Sequence, residues 1–104
     1  VPTDPYASID HVIFAWLSTR SFKLFGEWAG RPARFFYVSS AKGECFQISI
    51  QPPEGDTLVV DAWSIDTLDD SELHQEWKVS ADQLEVGMDA ALRKIHDWMD
   101  GRGR

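Results

Sequence analysis

The sequence has a single cysteine, Cys45, so no internal disulfide can form and a disulfide-stapled miniprotein is excluded. Basic residues are few: 10 Lys and Arg stand against 17 Asp and Glu, a net charge of −7. That sign argues against nucleic acid or an anionic membrane as partner, because both need a positive field. No apolar run approaches the roughly 18 residues that a membrane span requires. Internal repeats and low-complexity tracts are missing. Gly26, Gly30, Gly43, Gly55 and Gly87 stand alone, and none opens a helix as part of a phosphate-cradling loop. The first twenty residues lack the basic start and small-residue cleavage pattern of a signal peptide. With a lone cysteine suited to a reducing compartment, the expected location is the cytoplasm.

What is present suffices for a core. Of 104 residues, 43% are hydrophobic and 12% aromatic. The expectation is one α+β domain over residues 1–100, with a flexible basic tail at 101–104. Asp4 suits an N-cap and Pro5 a first helical position. Ile9, Val12, Ile13, Trp16 and Leu17 then recur at helical spacing, which predicts a helix over residues 5–19. From 20 to 79 the period shortens to 2. Residues 22–25 start a strand that Gly26 to Gly30 interrupt, and residues 34–38 form a second. In the third, Phe46, Ile48 and Ile50 alternate with Cys45, Gln47, Ser49 and Gln51, giving one dry and one wet face. In the fourth, over 57–65, Leu58, Val60 and Ala62 share one face, and Val59, Asp61, Trp63 and Ile65 the other. Residues 77–79 make a short fifth extended piece.

Ser80 and Gln83 have capping-box spacing before a last helix with Leu84, Met88, Ala91, Leu92, Ile95, Trp98 and Met99 on one side. The predicted order is α-β-β-β-β-α. Four antiparallel strands, or five with the short piece, would be covered on one face by the N- and C-terminal helices. Gly87 inside the last helix points to a close helix–sheet or helix–helix contact.

Chemistry is sparse in this pattern. His11, His74 and His96 lie on different elements, and no H-x-x-x-H, C-x-x-C or H-E-x-x-H spacing occurs, so no metal or cofactor is expected. His96 reads as a boundary packing residue, and His74 as a solvated histidine among carboxylates. No nucleophile-and-base pair is evident, and Cys45 reads as a half-buried strand residue. Asp61 is the one acid inside a strand pattern. Residues 66–76 carry Asp66, Asp69, Asp70, Glu72 and Glu76 with no Lys or Arg. The stretch lacks the ligand order of a calcium loop. It suits an electrostatic docking patch for a basic partner. Trp63 and Tyr37 on the far face of the sheet would add the large, rigid contact area typical of interfaces. The partner-binding residues expected from this pattern are Asp61, Trp63, Asp66, Asp69, Asp70, Glu72 and Glu76.

In size, acidity and element order the chain resembles the small immunity proteins that accompany bacterial polymorphic and contact-dependent growth inhibition toxins. The stretches that carry the likeness are Glu44-Cys45-Phe46-Gln47-Ile48-Ser49-Ile50, Asp66-Thr67-Leu68-Asp69-Asp70 and the closing helix through Trp98-Met99. The resemblance implies a cytosolic, non-catalytic protein. It would bind a partner's C-terminal toxin domain, often a nuclease, with acidic side chains standing in for nucleic-acid phosphates. Two other classes share parts of the pattern: an acidic secretion chaperone, which would dimerise, and a small ligand-binding or enzymatic domain with a pocket between helices and sheet.

Overall fold

The structure, a computed structural model, describes residues 4–104. Its elements are α1 (Asp10–Leu17), β1 (Phe25–Trp28), β2 (Arg31–Ser39), β3 (Cys45–Ile50), β4 (Thr57–Asp66), β5 (His74–Ser80) and α2 (Leu84–Met99). The strands form one antiparallel sheet in the order β1-β2-β3-β4-β5, each paired with its neighbour in sequence. The fold is α+β, and the fifth strand is a full seven residues rather than a short piece.

The alternation sorts the side chains. Register aligns Phe36, Ile48 and Ala62 across β2, β3 and β4, and aligns Arg34, Ile50 and Val60 beside them. Apart from Arg34, these residues join a buried apolar cluster with Phe46, Leu58, Ile13 and Trp16 of α1, and Leu84, Met88, Ala91, Ile95 and Trp98 of α2. Trp16 meets Phe36 at 5.6 Å between ring centroids, and Trp98 meets Phe46 at 6.0 Å. Gly87 sits where α2 crosses β4 and β5. A Cβ there would lie 3.2 Å from a methyl of Val60 and 3.3 Å from one of Val79, so the glycine answers a helix–sheet contact.

Three local expectations change. The helix begins at Asp10, not at 5. Asp4 does cap, but it caps a turn: its carboxylate accepts the Tyr6 N–H at 2.9 Å and its carbonyl accepts the Ala7 N–H at 3.1 Å. The cause is Arg34. Its guanidinium binds Asp10 through Nε at 2.7 Å and Asp4 through Nη2 at 2.6 Å, and it lies over the Tyr6 ring. The Tyr6 hydroxyl donates to the Ile50 carbonyl at 2.7 Å, so residues 4–10 are tied to the sheet before the helix starts.

The first strand is displaced as well. Residues 22–24 are not in the sheet; Phe22 instead stacks on Trp16 and Phe36. The strand runs Phe25–Trp28 because Ala29 and Gly30, with φ of 53° and 79°, form the two-residue turn that pairs Trp28 with Arg31. Finally, the capping box does not form. β5 continues to Ser80, whose hydroxyl donates to the Asp82 carboxylate, and residues 81–83 make a single 3-10 turn before α2.

At its other end α2 closes in a Schellman motif. Gly101, at φ 82°, donates to the Trp98 carbonyl at 3.0 Å, and Arg102 donates to that of Asp97 at 2.8 Å. The reversal carries residues 101–104, expected as a flexible tail, back over the domain. Arg104 grips both oxygens of Glu44 at 3.1 and 2.8 Å, Asp69 at 2.6 Å and the Trp98 carbonyl at 2.9 Å.

Candidate functional site

The odd-numbered side chains of β2, β3 and β4 lie on the sheet's other face, opposite the apolar cluster. Two cross-strand rows can be read from the register. One runs Phe25, Phe35, Ser49, Asp61 and Glu76; the other runs Tyr37, Gln47, Trp63 and His74. Phe35 is buried under its neighbours, stacked on Phe25 at 5.1 Å and edge-on to Trp28 and Tyr37. Trp28 is 68% exposed, Ile65 53%, Trp63 39% and Tyr37 38%. Large apolar side chains gathered on one exposed face mark an interaction surface more often than solvent-facing filler. A trough of about 500 Å³ runs among Trp28, Phe35, Tyr37 and Ile65, with Gln47 and Ser49 on its floor.

The sequence-derived interface residues divide into three groups. Asp61, Trp63 and Glu76 share the open face, as their alternation in β4 and their pairing with β5 require. Asp66, Asp70 and Glu72 line a separate depression at the end of β4, together with Ser64 and Ile65. Ile65 borders both hollows, so the aromatic trough and the acidic depression are neighbours. Asp66, Asp70 and Glu72 have no ion pair among the described residues. Asp69 differs. Its carboxylate accepts the Ser71 hydroxyl and N–H and also binds Arg104. These bonds, the Ser71 hydroxyl first, hold its pKa well below the usual carboxylate range. The acidic run, without counter-charge in its own sequence, acquires one from residue 104.

Glu44 is the buried member of that cluster. It is 3% exposed and accepts the Leu68 N–H at 3.1 Å besides the Arg104 fork. The Arg104 bonds, then the Leu68 N–H, lower its pKa. Its role was not legible from the sequence, because its partners lie 24 and 60 residues away.

The sequence reads His74 as a solvated histidine among carboxylates. It is not simply solvated: its ring stacks on Trp63 at 3.6 Å and its Nε2 lies 3.0 Å from Asp61 Oδ1. Asp61 is only 2% exposed, and its second oxygen accepts a hydrogen bond from Gln51 at 2.9 Å. The missed signal was His74-Gln75-Glu76 itself, two polar residues at strand spacing on one face. Cys45 is half-buried, as its place in the alternation implies.

No protein-family model, curated protein or solved structure matches this chain. No helix among the described residues is long and apolar enough to cross a membrane.

Proposed function

We propose that the protein is a non-catalytic binding module that docks a basic protein on the open face of its sheet. The observation that carries this reading is an exposed aromatic trough that borders, at Ile65, an acidic depression whose Asp66, Asp70 and Glu72 have no ion pair among the described residues. Aromatic rings supply most of the affinity in such surfaces, and uncompensated charge supplies approach rate and selectivity. The chain's net charge of −7 extends the same preference over longer range. In its narrower form, drawn from the resemblance to immunity proteins, the partner is a nuclease-type toxin domain and the acids of the depression occupy its phosphate-binding site. The protein would then act in the cytoplasm, without catalysis.

The test is capture of partners from the native cell extract by tagged protein, at low and then moderate salt, beside two variants. Tyr37→Ala with Trp63→Ala removes aromatic area, and Asp70→Lys with Glu72→Lys reverses the depression. One stoichiometric basic partner is expected, bound by the wild type, weakened by the first pair and slowed in association by the second. Folding should be unaffected by the charge reversals, since exposed charges contribute only about 0–1 kcal/mol. Equal capture by all three proteins would place the interface elsewhere. A stable homodimer with no other partner would favour the secretion-chaperone class.

A further inference from the structure

Docking leaves one part of the open face unexplained. Asp61, His74 and Glu76 present three ligating atoms within 4.8 Å of one another. His74 Nε2 lies 3.0 Å from Asp61 Oδ1 and 3.6 Å from Glu76 Oε1. Antiparallel pairing produces this arrangement. Asp61 stands directly opposite Glu76, and His74, two residues before Glu76, falls on the same face.

A zinc ion bound tetrahedrally at about 2.0–2.2 Å from each donor separates neighbouring donors by about 3.3–3.6 Å. The His74–Asp61 and His74–Glu76 separations bracket that range, and all three donors lie within 4.8 Å of one another, close enough for one ion to draw them together. Two further observations distinguish this cluster from a chance group of surface acids. First, the Asp61 carboxylate is almost fully buried, and among the described residues no Lys or Arg reaches it; its only ion-pairing partner is His74. Buried carboxylates are found paired or coordinating metals, because an uncompensated buried charge is costly. Second, the supporting groups are already in place. Gln51 fixes the other Asp61 oxygen, and Trp63, stacked at 11° to the His74 ring, fixes the imidazole plane. Groups that orient ligands in this way are a regular part of metal sites.

We propose that Asp61, His74 and Glu76 bind one divalent transition-metal ion of the zinc class, with a coordination position open toward solvent. One nitrogen and two carboxylate donors suit Zn²⁺, Co²⁺ or Mn²⁺ better than a thiophilic ion. His74 and Glu76 are both exposed, so the open position faces the same surface as the trough. The site goes beyond the docking function and does not depend on it.

The experiment is titration of the full, untagged chain with Co²⁺ and with Zn²⁺. The expected result is one ion per chain, with Co²⁺ giving visible absorption bands of low coordination number and quenching the indole against His74. Trp63→Phe should remove that quenching and keep the absorption bands. Glu76→Gln changes an exposed side chain and should keep a near-native melting temperature, whereas His74→Ala also takes from buried Asp61 its ion-pairing partner and should melt lower while remaining folded. Each should lower Co²⁺ affinity by at least about tenfold. Absence of saturable binding at millimolar metal overturns the proposal, and so does undiminished binding by folded His74→Ala. Neither outcome bears on partner capture, so the two readings fail separately.

Discussion

On β3, Phe46, Ile48 and Ile50 enter the buried cluster, while Gln47 and Ser49 between them floor the open trough. The same strand thus serves two faces with different demands. Toward the helices the positions are apolar and filled, with Arg34 the charged exception, and even a missing methyl is used, as at Gly87. On the open face aromatic rings stand beside amides, hydroxyls and carboxylates, and several rings are left uncovered. The contrast teaches where to look for function. The covered face is constrained by volume, whereas the open face leaves polar groups and rings exposed.

The sharpest way to break this contrast is a pair of truncations. Phe46→Ala should cost about 3–5 kcal/mol in urea unfolding, as a large ring lost from a closed core. Trp63→Ala, on the open face, should cost far less, and equal losses would mean that the open face also supports the fold. Gly87→Leu probes the covered face by addition. Leucine is the better helix former, yet crowding against Val60 and Val79 should make the variant about 1–3 kcal/mol less stable. A gain would show that α2 can lift from the sheet.

The smallest expected effect comes from Arg104→Ala, read as melting temperature against pH. Glu44 and Asp69 have folded pKa values below their ordinary ones, so the folded state binds fewer protons than the unfolded state at mildly acid pH. Their contribution is complete above the ordinary carboxylate pKa of about 4 and is lost as pH falls through the lowered folded values. The gap between wild type and variant should therefore be widest near neutrality and narrow below about pH 4. A gap independent of pH would assign Arg104 a packing role alone.

The strands with one clean period were legible in the sequence. β3 follows the alternation, β4 follows it except at Asp61, which is buried on the open face, and the apolar stripe of α2 is the stripe that packs into the core. The edge strands were harder. β5 carries His74, Gln75, Glu76 and Lys78, and charge on an edge strand resembles charge in a loop while protecting the edge from further pairing. β1 was misplaced because Ala29 adopts a left-handed conformation more typical of glycine or asparagine, which hides the turn. At the site, Trp63 and Asp61 could be placed on one face from spacing alone. The contacts of Gln51 and His74 with Asp61, and of Arg104 with Glu44, depend on register and on chain reversal, which no local pattern encodes.

The order of the sheet has a kinetic consequence. Each strand pairs with the one next to it in sequence, so every ladder closes over a short connection and chain entropy is surrendered in small steps. The helices come from opposite ends: the indole of Trp16 donates to Asp89 at 2.8 Å across a separation of 73 residues. Among the described residues no side-chain hydrogen bond spans a wider separation. Each ladder paired beforehand shortens the effective loop and lowers the entropic cost of that encounter.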